Sequence, residues 1–295
     1  NDSGCLYLGE IGMLNINTNY AASFAANAAK QSSSGLNSAM EKLSSGSRIN
    51  YAKDDAAGQA IAVRLSAEVQ GVAMASRNAA DAQSMIDTAD GALGETHNVL
   101  LRMRELAVQA SNGTLTTDDN AALDAEFQQL EAEIDRIASS TKWAGADLFN
   151  GAAKVFHIGT KASDTLSHTI SRMGANNLGV DSFGADNDAG GTDNIDADLT
   201  TATKAAAMIT AVDNAIKLVS TERGSLGALS NRLSSTITNL DQVRVNLSAS
   251  QGRIEDADFA EETSNLAKGQ ILQQAATAML AQANASKQNV LALVR

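Results

Sequence analysis

From residue 61 to about 110, apolar residues return at every seventh position: Leu65, Val72, Ala79, Ile86, Leu93, Leu100 and Ala107. Glu68, Ala75, Ala82, Ala89, Thr96 and Met103 fall between them, three residues on. A strict seven-residue repeat predicts a helix that packs along another helix through a coiled-coil-like seam. At the usual rise per residue, 65–107 spans roughly 65 Å, more than an ordinary globular domain needs. The pattern returns from 204 to 250 with Ile209, Val212, Ile216, Val219, Leu226, Leu229, Leu233, Ile237, Leu240 and Leu247. These two stretches are expected to run antiparallel and bury each other's seams.

Shorter elements fill the space between. The segment SNGTLTTDD (111–119) reads as a turn and a helix start, with Thr116 or Thr117 as N-cap. A helix from about 118 to 139 then carries Leu123, Phe127, Leu130, Ile134 and Ile137 on one stripe. Residues 154–170, KVFHIGTKASDTLSHTI, hold two β-prone stretches around polar turn residues and predict a hairpin. His157 and His168 could face each other across it, although no third ligand accompanies them for a metal.

The two ends of the chain are also helical in pattern. Residues 14–45 place Leu36, Met40 and Leu43 on one face. Gly46 and Gly58 then mark a break at 44–58. After a second break and recapping at 252–262, a helix from about 259 runs onward with Leu272, Ala276, Met279, Ala283, Ser286, Val290 and Leu293 on a seam. The two outer helices are expected to pair. Two helices cover one face each, so the remaining Ala- and Leu-rich faces call for other copies of the chain.

Composition reinforces the rod. Hydrophobic residues make up 44 % of the 295, but aromatics only 3 %, and there is no proline. Alanine-rich cores let helix backbones approach closely, and the lack of proline leaves long helices unbroken. The net charge of −12 attracts neither nucleic acid nor an anionic membrane surface. No run of 18 apolar residues predicts a membrane span. The single cysteine, Cys5, has no intramolecular partner for a disulfide. No basic and apolar secretory leader is visible in the first 30 residues, which predicts a cytoplasmic chain or export without a cleaved signal. Residues 1–12 differ in texture from the rest, and Met13 is expected to be the natural start after an upstream or expression-derived extension.

Candidate chemistry is sparse. His97 lies within the helical rod, and the sequence has no paired cysteines, no G-x-S-x-G, no phosphate-binding lysine loop and no G-x-G-x-x-G. Asp181, Asp186, Asp188, Asp193, Asp196 and Asp198 crowd residues 181–200, but they miss the spacing of a calcium loop and read as a solvated segment. No enzyme, cofactor or metal site is expected.

Three long motifs carry a family resemblance. The stretch LNINTNYAASFAANAAKQSSSGLNSAMEKLSSGSRINYAKDDAAGQAIAVRL (14–65) resembles the amino-terminal segment of bacterial flagellin. LLRMRELAVQASNGT (100–114) resembles the end of that family's central helix, and 252–295 resembles its carboxyl-terminal segment. The resemblance covers nearly the whole chain from Met13, apart from the acidic stretch near 181–200. It implies a mainly α fold: a long antiparallel coiled-coil-like helical rod, built of D0 and D1 parts, with a small β-hairpin region. The implied divisions are an unmatched extension at 1–12, an amino-terminal D0 segment and spoke at 13–56, and amino-terminal D1 helices with the hairpin at 57–175. A short variable acidic loop at 176–203, a carboxyl-terminal D1 helix at 204–254 and a carboxyl-terminal D0 helix at 255–295 complete them. Little room is left for the D2 and D3 insertions that many flagellins carry.

The resemblance also implies function. Flagellins are exported unfolded through the flagellum's type III pathway and polymerise outside the cell into the filament used for swimming. The implied partners are further copies of the chain, an export chaperone, and the filament cap and hook-junction proteins. A host Toll-like receptor that detects flagellin is a further implied partner. Positions matching its contact region are Arg102, Leu106 and Glu126. The implied assembly seam comprises Leu36, Met40, Leu43, Leu272, Ala276, Met279, Ala283, Val290 and Leu293. Two other readings stand beside this one: a hook–filament junction protein with similar ends, against which RIEDADFA (253–260) argues, and a flagellin-like surface protein that binds a glycan.

Overall fold

The pattern of sevens becomes two long helices in the computed structural model, which describes residues 18–180 and 199–293, with side chains described up to 286. In chain order the helices are α1 (Tyr20–Ser45), α2 (Ala56–Ala110), α3 (Thr117–Ser140), a short α4 (Ala175–Leu178), α5 (Ala202–Glu255) and α6 (Phe259–Leu293). Between α3 and α4 lie β1 (Lys142–Trp143), β2 (Ala146–Asp147), β3 (Ala153–His157) and β4 (Thr165–Thr169). Among the described residues the chain is thus mainly α, with two small antiparallel strand pairs. The residues divide into two compact units: one up to Ser66 and from Ser248, the other Ala67–Leu247.

In the second unit, the predicted seam of α2 is the buried one. Val72, Ala75, Ala79, Ala82, Ile86, Ala89, Leu93, Thr96, Leu100, Met103 and Ala107 are all buried. The seam starts later than the heptads do: Leu65 is half-buried and Glu68 exposed. Arg223 of α5 donates to Asp90 of α2 at 2.8 Å, Arg104 of α2 to Asp213 of α5 at 2.6 Å, and Gln83 of α2 to Ser230 of α5 at 3.4 Å. Falling numbers on α5 against rising numbers on α2 make the pair antiparallel. Val219, Leu226, Leu229 and Leu233 line the buried face of α5, while Leu240 and Leu247 are half-buried.

Helix α3 starts where its sequence says it should. Thr116 caps it, its hydroxyl accepting from Asp119 N while the Asp119 carboxylate accepts from Thr116 N at 3.0 Å, a reciprocal capping box. Phe127, Ile134 and Ile137 are buried, and Leu123 and Leu130 pack beside them. Two carboxylates of α3, the buried Asp124 and the exposed Asp135, fix the returning chain. Asp124 accepts from Leu199 N at 2.9 Å, and Asp135 accepts from Ala175 N at 2.8 Å.

The predicted hairpin is β3–β4, and its register corrects one expectation. His157 lies opposite Thr165, whereas His168 lies opposite Lys154. Successive side chains of a strand alternate between faces. His168 therefore shares the inward face with Phe156 and Leu166, and His157 points outward with Val155. The two imidazoles do not meet. Among the described residues no group of three or more metal-binding side chains assembles, and no helix is long and apolar enough to cross a membrane. The small β1–β2 pair was not visible in the sequence; it turns through Ala144 and Gly145, both with positive φ.

In the first unit, α1 and α6 pack antiparallel. Asn19 ties one end: its Oδ1 accepts from Ala22 N at 3.0 Å to cap α1, and its Nδ2 donates to Ala283 O at 3.2 Å. Lys42 and Glu262 meet at 3.1 Å near the other end. Beyond α1, Gly46 takes the left-handed conformation, φ 73°, and its N–H closes the helix on Lys42 O. Ala257 N donates to Gly46 O at 2.9 Å, and the Arg48 guanidinium donates to Ile254 O at 2.8 Å, so the break after α1 is stitched to the α5–α6 junction. Asp258 recaps the chain there, accepting from Ala260 N at 2.8 Å. The expectations for residues 1–12, Met13, Cys5 and the acidic residues 181–198 lie outside the described residues.

Candidate assembly and recognition surfaces

Every third and fourth side chain of α1 turns toward α6: Ala22, Ala25, Ala29, Ser32, Leu36, Ala39 and Leu43 are buried or half-buried. The matching set on α6 is Glu262, Leu266, Gly269, Gln273, Ala276, Leu280 and Ala283. Alanine and glycine dominate this seam, so the two backbones approach closely. Within the subunit, the packed line departs from the implied assembly seam in two places. On α1 the buried residue is Ala39, 3 % exposed, rather than its neighbour Met40, 52 % exposed. On α6 the packed line runs through Gly269 and Gln273, and it leaves Leu272 and Met279 facing away from α1. Leu36, Leu43, Ala276 and Ala283 do belong to the pair. Helix α6 continues through Val290 and Leu293, whose side chains lie outside the described residues.

The faces of α1 and α6 that do not meet are unusually apolar. Phe24 is 79 % exposed, and Tyr20, Ile271, Leu272 and Met279 also stand in solvent. Single exposed apolar residues are ordinary, but large ones recurring along one helix pair mark an interaction surface. Polar anchors set the pair's register from within: the Glu262 carboxylate, nearly buried, takes Lys42 on one oxygen and Asn265 on the other.

A second surface lies on α2 and α3. Arg102 donates from Nε and Nη2 to Glu126 Oε1 at 3.1 and 2.8 Å, and from Nη1 to Glu105 Oε2 at 3.0 Å. The fork holds two carboxylates of opposite helices on one guanidinium, and those hydrogen bonds, Glu126 first, push the Arg102 pKa up. Arg102 and Glu126 thus share one exposed surface. Leu106 does not join them. It is 1 % exposed, within the apolar cluster that holds Phe127 and Ile134. The exposed apolar side chains of that segment are Leu101 and Val108.

A heptad-packed rod and a terminal helix pair with large apolar side chains left in solvent define a helical structural protein. Its relatives give the particular family. The family model for the bacterial flagellin N-terminal helical region matches residues 16–154, and that for the bacterial flagellin C-terminal helical region matches 209–294. A flagellin of Halalkalibacterium halodurans is 45 % identical over 87 % of this chain and 91 % of its own length. A flagellin of Bacillus subtilis is 43 % identical over 96 % of this chain and all of its own. A structure described as a flagellar hook-associated protein of Vibrio parahaemolyticus shares the fold, with a TM-score of 0.56 at 16 % identity over 69 % of this chain and all of that one. The chain belongs to the bacterial flagellin family, the structural subunits of the extracellular flagellar filament.

Proposed function

We propose that this chain is a minimal flagellin whose α1–α6 pair is the D0 assembly element and whose α2, α3 and α5 form the D1 body, with little or no D2 or D3 insertion. The observation that carries this reading is the row of exposed Phe24, Ile271, Leu272 and Met279 on a helix pair already closed on its other side. Burying that row among neighbouring copies stabilises the order by roughly 25 cal/mol per Å² of apolar area. A contact between unlike patches that does not close on itself generates a helical tube. In this reading the subunit travels unfolded through the flagellar type III pathway, with a chaperone covering α6 until export. It then adds to the filament between the hook-junction and cap proteins. Its work is structural, not catalytic.

The test separates assembly from folding. Leu272→Lys combined with Met279→Lys places charges on side chains that lie off the α1–α6 seam and are 46 % and 64 % exposed. The variant is expected to keep the parent's circular dichroism and thermal midpoint and to form no filaments from seeded monomer, as judged by electron microscopy. Filaments at the parent rate would overturn the assignment of this face.

The Arg102–Glu126 pair supports a second role on the same subunit: a charged patch for the host Toll-like receptor that detects flagellin. The fork presents fixed donors and acceptors on two adjacent helices at the rod surface. Stacking of D1 bodies in a filament would cover the patch, so free monomer is the signalling form.

A further inference from the structure

His168 is carried on the inward face of β4 against α5. Its Nε2 lies 3.5 Å from Glu222 Oε1, within ion-pair reach but without a formed hydrogen bond, and both atoms are shielded from solvent without another partner. The other Glu222 oxygen accepts from Ser171 Oγ at 3.1 Å. Nearly all buried polar atoms in folded proteins are hydrogen-bonded, so two that face each other across a short gap need a reason.

The surrounding charges narrow it. Lys154, on β3, is the cross-strand partner of His168 and disfavours added positive charge there. Its ammonium, however, is directed to Asp147 O at 3.4 Å. Arg223, next to Glu222 on α5, is engaged by Asp90 of α2. Arg172, past the end of β4, donates to Asn150 O at 3.2 Å. Glu222 is therefore left with one oxygen on Ser171 and the other aimed at the imidazole. A proton on Nε2 turns this gap into a charge-assisted N–H···O bond, stronger than a neutral one and strengthened by shielding from water. Imidazole is the side chain whose charge ordinarily changes between pH 5 and 8.

We propose that His168 and Glu222 form a proton-operated latch that fastens the β3–β4 hairpin to α5, closed in mildly acidic medium and relaxed above neutrality. The proton enters from bulk water and binds Nε2; no other bond is made or broken. The latch lies wholly within one subunit, so it stands or falls independently of how α1 and α6 assemble.

Hydrogen–deuterium exchange of the full-length monomer tests it, comparing peptides from 153–170 at pH 5.5 and pH 8 after correction for the intrinsic rate. Protection of the hairpin is expected to be about tenfold greater at pH 5.5, the scale of one charge-assisted hydrogen bond. The buried 72–107 seam is expected to change little. His168→Gln and, separately, Glu222→Gln should each abolish the difference, with folding checked by circular dichroism. His157→Gln, on the outward face, should retain it. Equal hairpin protection of the parent at both pH values would overturn the latch. So would a pH response that survives in whichever of the first two variants folds, or one that disappears in His157→Gln.

Discussion

Gly269 of α6 lies against Leu36 of α1 so closely that a Cβ built on it would stand 3.3 Å from Leu36 Cδ1 and 3.5 Å from Leu36 Cα. One carbon fits if the Leu36 methyl shifts slightly, and alanine gains about 1 kcal/mol of helix propensity over glycine. Gly269→Ala is therefore expected to be neutral or stabilising. Gly269→Val adds branches with nowhere to go and is expected to cost about 1–3 kcal/mol. Exchange protection of α1 and α6 amides reads the difference: it should hold in the alanine variant and fall in the valine one.

Leu93 is fully buried at the centre of the α2 seam. Leu93→Asp places a carboxylate there without a partner, which costs several kcal/mol, on the order of 3–5. A sharp drop in the thermal midpoint is expected. A midpoint within a degree of the parent would place this face in solvent.

The capping box of α3 carries a pH signature. Hydrogen bonds from the Thr116 hydroxyl, and then from its backbone N–H, hold the Asp119 pKa below the usual carboxylate value. A depressed folded-state pKa contributes stability that is present above the unfolded value and is lost as pH falls through the folded one. The first turn of α3 is therefore expected to fray only in acid, below about pH 4. Asp119→Asn removes the charge and should remove most of that acid dependence, which amide exchange at Asn120 and its neighbours can measure.

Arg102 and Glu126 are exposed, so their pairing adds little to folding. Arg102→Ala is expected to leave the thermal midpoint unchanged and to reduce receptor-reporter signalling by folded monomer at least about tenfold, as loss of a central arginine anchor does. Equal potency would remove the receptor patch and leave the assembly reading untouched. Intact filament should signal less than the same mass of monomer.

The rod was legible because its heptads are strict. Val72 to Ala107 alternate by three and four, and each is buried where the repeat places it. The outer pair was legible only as a pair. Helix α6 is rich in alanine and leucine all round, so two lines of residues fit a seam equally well. Only the partner decides that Gly269, Gln273, Ala276, Leu280 and Ala283 face inward while Leu272 and Met279 face out. Sequence reasoning passed over Gly269, because a glycine inside a helix reads as weakness until a neighbouring backbone is seen to occupy the space. Leu106 failed for a related reason. Near the end of α2 Leu100, Met103, Leu106, Ala107 and Ala110 are buried and Val99 is half-buried, a broader arc than a single seam, because α3 covers a second side. A position that looks like surface beside one partner becomes core beside two. The hairpin was found from β-prone residues and turn chemistry, but the faces of its histidines depend on register, which those signals do not fix.

The alanine seam also determines what ordering the chain's ends demands. Freezing a leucine or methionine side chain costs rotamer entropy, whereas alanine and glycine have none to lose. Ala22, Ala25, Ala29, Ala39, Gly269, Ala276 and Ala283 thus meet with almost no side-chain penalty, and each returns little buried area. Such a zipper finds its helical register with few competing side-chain arrangements to sort through.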